Sequence, residues 1–281
     1  DARRSATLAA VEQEEQDMDP ELVRLGDASI ASPFTAKTTS VACVLSVIRQ
    51  GRCTLVTTLQ VYKILALNCL TSAYMLSFLY LHGVKQGDSQ MTVVGLAVAA
   101  LFFFTSRARP RERLSAQRPP ARLFSLPLLL SVAGQFLVHL GSLLATVELC
   151  RGYVSRNDPS VAPDGPFRPN AFNTAVFLLA SVMQVTTFAA NYTGHPFVES
   201  LRENRPLWYT ILGCYAALFG AAAEALPPVA SALQLTPAPS PGFRARLLAV
   251  MAADTALAFL VEGGARRVAS RLGGGASSGS A

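Results

Sequence analysis

Six long apolar runs separated by short polar segments make up most of this chain. They cover residues 55–81, 87–106, 123–150, 171–191, 207–226 and 246–264. About 20 apolar residues in a helix cross the ~30 Å hydrocarbon layer of a membrane. A lone strand would leave its backbone groups unpaired in lipid, so the runs are predicted to be helices. The pattern predicts an all-α polytopic membrane protein with six transmembrane helices. The second and sixth runs have shorter apolar cores, so each either spans with a tilt or forms a buried helix that does not span.

Polar residues inside these runs fall on particular helix faces. In the first run they lie within an arc of roughly 140°, and in the third within about 80°. Polar groups in a membrane are costly and normally face protein or a water-filled cavity. The candidate functional residues are therefore the members of this polar membrane face: Gln60, Lys63, Asn68, Gln135, His139 and Gln184.

Each of these residues has a structural interpretation beside the functional one. Lys63 either extends its amine to the cytosolic interface or lines a polar cavity with a gating role. The polar positions of the third run either hydrogen-bond neighbouring helices or, through His139, form a proton relay. A relay needs a nearby carboxylate, and Glu148 lies at an interface nine residues further on. Asp254, inside the sixth run, needs a donor from another helix.

The distribution of charge predicts the orientation. The 281 residues are 51% hydrophobic and 15% charged with a net charge of +6, and the arginines flank apolar runs without forming a nucleic-acid-binding domain. The loop 107–122 carries six arginines, and three more follow the last run. Because cytosolic loops are enriched in Lys and Arg, both termini are predicted to be cytosolic. The sequon at Asn191 then lies at the cytosolic end of the fourth run and is expected to carry no glycan.

The polar ends and the cysteines add little chemistry. Residues 1–50 are predicted to form a cytosolic segment, 51–265 the transmembrane domain and 266–281 a disordered, Gly/Ser-rich cytosolic tail. The five cysteines are odd in number and include no C-x-x-C pair, which favours small apolar packing residues over a zinc site. The pattern of residues contains no catalytic set and no dense carboxylate cluster that would bind a cation.

Two segments carry a family resemblance. Residues 25–35, L-G-D-A-S-I-A-S-P-F-T, are similar to the end of the phosphorylation domain in type V P-type ATPases. Residues 48–70 resemble the region in which a Gly-Arg pair, here Gly51 and Arg52, precedes the fifth membrane helix of such pumps. The run through Gln60, Tyr62, Lys63 and Asn68 is similar to the subtype A branch, the endoplasmic reticulum transmembrane-helix dislocases. The six runs would then be the fifth to tenth membrane helices.

The resemblance implies the membrane part of an ATP-driven enzyme that extracts misinserted transmembrane helices from the endoplasmic reticulum membrane. Its expected partners are the lipid bilayer, an N-terminal half of the ATPase and transmembrane-helix substrates, and its expected cofactors are ATP and Mg²⁺. The D-K-T-G-T and G-D-G-x-N-D motifs do not occur in these 281 residues, so the segment alone is expected to be inactive. A cation-transporting ATPase and a non-enzymatic membrane scaffold stay open as alternatives.

Overall fold

The computed structural model describes residues 41–117, 119, 125–153, 160–161 and 165–275. The chain divides into two compact units, Asp1–Gly51 and Arg52–Ala281, and the helix packing described for this protein belongs to the second. The segment resembling a phosphorylation domain, residues 25–35, lies outside the described residues.

Seven α-helices follow one another along the described residues. They are α1 (Ala42–Leu81), α2 (Asp88–Ser106), α3 (Leu126–Cys150), α4 (Ala171–Asn191), α5 (Arg205–Ala222), α6 (Pro227–Ala232) and α7 (Pro241–Gly275). No strand occurs among them, and the all-α prediction is confirmed.

Five of the helices are long and apolar enough to cross a membrane: α1, α2, α3, α4 and α7 up to Ser270. The prediction of a polytopic membrane protein is therefore confirmed. The fifth predicted run also forms a helix, α5, but it has 18 residues and begins with Arg205 and Pro206. These two residues lower its hydropathy, and it is not among the five.

Several helix ends differ from the apolar runs. α1 begins at Ala42, 13 residues before the predicted start, because charged residues such as Arg49 and Arg52 are good helix formers and do not end a helix. α5 ends at Ala222 instead of residue 226, since Glu224 takes a left-handed backbone with φ 60° and α6 begins at Pro227. α7 is longer than predicted at both ends.

The predicted disorder of residues 266–281 is wrong for its first part. α7 continues as helix to Gly275, and residues 276–281 lie outside the described part. Arg266 explains part of this order, because its side chain binds two carbonyl oxygens of a neighbouring helix end. Amino-acid composition alone cannot predict these hydrogen bonds between distant parts of the chain.

α4 lies at the centre of the bundle. It packs against α2, α3, α5 and α7, and residues 172–192 are all buried. α3 and α7 pack against each other beside it, and Gly134 of α3 lies against Val261 of α7. A Cβ atom at Gly134 would lie 2.7 Å from Cγ1 of Val261, so only glycine fits without displacement.

Candidate functional site

Lys63 and Glu262 form a buried ion pair between α1 and α7. The Lys63 Nζ lies 2.6 Å from Glu262 Oε2, and the two side chains are only 10% and 8% exposed. Of the two interpretations of Lys63, the geometry matches the polar interior and not extension to the interface. A charge pair removed from water is tolerated only when good geometry and further hydrogen bonds offset the lost hydration.

Glu262 receives those further hydrogen bonds from α3 and from its own helix. The Ser131 hydroxyl and the Gln135 amide of α3 donate to Oε2, the latter at 3.1 Å. Arg266, one turn along α7, donates to Oε1 at 2.9 Å. The carboxylate therefore binds two cations and two neutral donors, and we name Lys63, Ser131, Gln135, Glu262 and Arg266 the Glu262 cluster.

The C-terminal end of α4 is joined to the same cluster. Gln135 and Asn191 exchange amide hydrogen bonds of 3.0 and 2.8 Å. Arg266 donates to the carbonyl oxygens of Ala190 and Tyr192 at 2.8 and 3.0 Å, which suits the partial negative charge of a helix C-terminus. Asn191 is 1% exposed, so its amide cannot accept a glycan in this fold.

Gln60 connects α1 to the backbone just after α4. Its Oε1 accepts a 2.7 Å hydrogen bond from the backbone N–H of Thr193. Two residues on the polar face of α1 thus hold α1 against the remaining helices, one through a backbone amide and the other through the ion pair.

A second buried pair, His139 and Asp254, joins α3 and α7. The His139 Nδ1 lies 3.0 and 3.1 Å from the two carboxylate oxygens, and the residues are 3% and 0% exposed. Asp254 therefore meets the donor that the sequence required but could not identify. The His139 Nε2 is buried without a hydrogen-bond partner among the described residues.

Gln184 of α4 contacts α1 at a different place, and Asn68 is a second buried amide, in α1 itself. The Gln184 Nε2 donates to Ser72 Oγ at 3.1 Å. Asn68 is 7% exposed, and neither of its amide atoms has a partner within the described ranges. A buried amide without partners is destabilising, and such groups in native structures need an explanation such as an unseen water or a functional role.

The family-signature pair, Gly51 and Arg52, lies within α1, ahead of the apolar run predicted from residue 55. Arg52 donates from Nη1 to the Ser115 carbonyl oxygen at 2.6 Å, which attaches α1 to the loop after α2. A Cβ atom at Gly51 would have nothing within 4 Å.

The candidate residues therefore separate into groups. Gln60, Lys63 and Gln135 lie where α1, α3, α4 and α7 meet, and His139 lies between α3 and α7. Gln184 contacts Ser72 of α1, and Asn68 is buried on α1 without a hydrogen-bond partner among the described residues. Sequence reasoning missed Glu262, Arg266 and the interior role of Asn191. The available signal was that an apolar run contained one more carboxylate, Glu262, while Lys63 needed an anion.

The cluster can hold charge in fixed positions, but it is not arranged as a cation cage. Within the part of the chain that the structure describes, three or more His, Cys, Asp or Glu side chains nowhere gather at one point. Glu262 already binds Lys63 and Arg266, and Asp254 already binds His139.

Comparisons with known proteins give several close relatives. The chain is 48% identical over 227 residues, 81% of its length, to the probable manganese-transporting ATPase PDR2 of Arabidopsis thaliana. It is 44% identical over 216 residues, 76% of its length, to the endoplasmic reticulum transmembrane helix translocase of Saccharomyces cerevisiae. The corresponding translocase of Aspergillus fumigatus, spfA, is 40% identical over 259 residues, 91% of the chain.

These matches cover only part of each relative. The chain spans about a fifth of their lengths, 19%, 18% and 20% respectively. No family model matches the chain.

Proposed function

Because the chain belongs to the type V P-type ATPase family, we propose that it forms the membrane region of an ATP-driven transmembrane-helix translocase. It is a multi-pass protein of the endoplasmic reticulum membrane. The proposed reaction of the complete enzyme is extraction of misinserted transmembrane helices from that membrane. The observation that carries the proposal is 40–44% identity to two proteins named as such translocases, along 76–91% of this chain.

The packing supports a division of labour among the helices. α3 and α7 are joined by the contact at Gly134 and by the buried His139–Asp254 pair, and α4 packs against both, which suits a static scaffold. α1 holds to them through polar bonds at Gln60 and Lys63 as well as through buried apolar side chains such as Ile64 and Met75. Polar bonds can be exchanged for water or substrate more readily than tight apolar packing, so α1 is the element proposed to transmit movement from cytosolic domains.

ATP and Mg²⁺ are proposed to act on segments of the enzyme outside these 281 residues. Both ends of the chain are proposed to be cytosolic, with transmembrane-helix substrates, the lipid bilayer and the remaining ATPase domains as partners. A substrate helix of moderate hydrophobicity would meet the polar side of α1, where Asn68 has amide atoms without partners among the described residues.

The test measures extraction by the complete ATPase reconstituted in liposomes. The readout is ATP-dependent release of a fluorescent peptide that carries one transmembrane helix. Asn68→Leu is expected to slow release several-fold, because it removes buried polar atoms that a substrate helix would contact once α1 moves. Cys69→Ser, the exposed neighbouring position on α1, is the matched control and should release peptide at the unmodified rate. Equal release by the Asn68 variant would remove Asn68 from the substrate path, and no ATP-dependent release by the unmodified enzyme would end the proposal.

A cation-transporting ATPase is the second candidate, favoured by the name of the Arabidopsis relative. Asp254 and Glu262 are already bound to other side chains, which argues against it, because a divalent cation needs several free oxygen ligands. The two candidates differ in what accelerates ATP hydrolysis. Stimulation by Mn²⁺ without peptide would favour the cation pump, and stimulation by the helical peptide alone would favour the translocase.

A further inference from the structure

A groove lies where α2 ends and α5 begins, between the loop after α2 and the loop after α4. Its volume is about 480 Å³, and we name it the arginine groove after three of its residues. The residues that carry the argument are Phe103, Arg107, Arg109, Glu199, Glu203 and Arg205. The main function described above does not use this groove.

The walls of the groove are held by backbone hydrogen bonds. Glu199 N–H donates to the Arg109 carbonyl oxygen at 3.0 Å, beside a backbone bridge between Pro110 and Val198. Asn204 Nδ2 donates to the Phe104 carbonyl oxygen at 3.0 Å, which joins the end of α2 to the start of α5. The groove is therefore a formed feature of the fold.

The two carboxylates of the groove are already bound. Glu203 accepts hydrogen bonds from Ser200 N–H at 2.6 Å and from His195 at 3.1 Å, and these donors lower the pKa of Glu203 to about 2. Glu199 accepts from the Arg109 backbone N–H at 3.1 Å. Both carboxylates are therefore already hydrogen-bonded to donors in the loops.

The three guanidinium groups of the groove are exposed and free to bind. Among the described residues, no carboxylate lies within 4 Å of the side-chain nitrogens of Arg107, Arg109 or Arg205, which are all exposed. Arg107 stacks over the Phe103 ring at 5.2 Å, a contact that leaves its N–H donors available. Guanidinium groups bind phosphate oxygens through paired hydrogen bonds.

The position of the groove selects the kind of phosphate. α2 is a membrane-capable helix that ends at Ser106, so the arginines lie where apolar helix gives way to polar loop, the level of lipid headgroups. Aromatic residues typical of this level follow Arg205 in α5: the Trp208 ring lies beneath Arg202 at 5.8 Å, and Tyr209 is 67% exposed. We propose that the arginine groove binds the phosphate headgroup of an anionic phospholipid from the cytosolic leaflet. The assignment to that leaflet rests on the proposed orientation.

The experiment measures binding of water-soluble dioctanoyl phosphatidylinositol to the full chain in a neutral detergent, with dioctanoyl phosphatidylcholine as the zwitterionic comparison. The unmodified chain is expected to bind the inositol lipid and not the choline lipid. Because each arginine near a membrane surface contributes roughly fivefold, the variant Arg107→Gln/Arg109→Gln/Arg205→Gln should bind on the order of 100-fold more weakly.

The matched control removes the same charge from exposed arginines outside the groove, Arg113→Gln/Arg246→Gln/Arg267→Gln, and should bind as the unmodified chain does. If the groove variant melts at a lower temperature than the control, the charge-conserving variant with lysine at the three groove positions decides, and it should retain most of the binding.

Three results would overturn the inference. They are equal binding by groove and control variants, loss of binding in the lysine variant without loss of folding, and competition by 10 mM inorganic phosphate as strong as by the lipid. The last would identify a site for a soluble anion. Binding is measured without ATP or a substrate helix, so its failure leaves the translocase proposal standing, and failure of helix extraction leaves the lipid site standing.

Discussion

At the residue scale, the two partners of the Lys63–Glu262 ion pair differ in how much each depends on the other. Lys63 has Glu262 as its anionic partner among the described residues, whereas Glu262 also binds Arg266, Ser131 and Gln135. Removing Glu262 therefore leaves a buried ammonium alone, while removing Lys63 leaves a carboxylate that still has donors.

This asymmetry predicts unequal stability losses. Glu262→Gln should destabilise the chain by about 3 kcal/mol, and Lys63→Met by roughly half as much. For a chain of this size the larger loss lowers the melting temperature by roughly 6–12 °C, measurable by fluorescence in detergent. Lys85→Met is the control, since this exposed amine donates only to the Gly165 carbonyl oxygen in the described region. Equal losses for the two substitutions would contradict the asymmetry.

The His139–Asp254 pair predicts energetic coupling across α3 and α7. His139→Leu and Asp254→Leu should each destabilise the fold, because each leaves a buried polar partner unsatisfied. The double variant should cost less than the sum of the two, with a coupling of about 1–2 kcal/mol. Melting temperatures of the unmodified chain, the two single variants and the double variant complete this double-mutant cycle. Additive losses of stability would show that the two groups do not interact.

Sequence alone identified these residues better than it identified their partners. The arcs of Gln60, Lys63, Gln135 and His139 follow from helix periodicity, which is a property of one segment. That Lys63 meets Glu262 and His139 meets Asp254 depends on how α1, α3 and α7 are arranged, and no single helix encodes that arrangement. The anionic partner of Lys63 lies 199 positions away in the chain.

At the element scale, the contact between α3 and α7 predicts sensitivity to a single methyl group. Gly134→Ala would place Cβ against Val261, and we expect destabilisation of about 1–3 kcal/mol. Gly141→Ala is the matched control in the same helix, where a Cβ meets nothing within 4 Å, and it should be neutral or slightly stabilising.

A second-site change tests the cause of the Gly134 effect. Val261→Ala removes the methyl group that the new Cβ would meet, so it should restore most of the stability in the Gly134→Ala background. Thermal melting in detergent is measured for the unmodified chain, Gly134→Ala, Val261→Ala and the double variant. A Gly134→Ala variant as stable as Gly141→Ala would show that the helices can separate without cost.

The existence of the helices was predictable, whereas the ends of α1, α5 and α7 were not. The run 171–191 matches α4 residue for residue, because Asn170 caps its N-terminus and the apolar sequence ends where the helix ends. α1 and α7 extend past their apolar runs, since hydropathy marks what lipid tolerates and not where backbone hydrogen bonding stops.

At the scale of the whole molecule, the charge distribution predicts that the loop after α2 and the turn after α3 face opposite sides of the membrane. In a variant without the five natural cysteines, Arg113→Cys should react with an impermeant maleimide in sealed microsomes whose cytosolic face is outward. Arg151→Cys should react only after detergent is added. Both positions are exposed, so their accessibility depends on the side alone. The reverse pattern would invert the topology.

Fold class and family could both be inferred from the sequence, because long uncharged runs and the motif around Gly51 and Arg52 are local features. The arginine groove could not, although its arginines had been counted for orientation. It requires the backbone bridge between Pro110 and Val198, which pairs two loops nearly 90 positions apart.

The complete burial of α4 has a consequence for biogenesis. Its polar residues Asn173, Gln184 and Asn191 are shielded in the finished bundle by helices on both sides in chain order. Before the ribosome has synthesised α5 and α7, two of the four helices that cover α4 are missing, and these amides are exposed to lipid acyl chains. α4 is therefore the span most in need of a chaperone during synthesis, in a protein proposed to rescue other spans stranded in the bilayer.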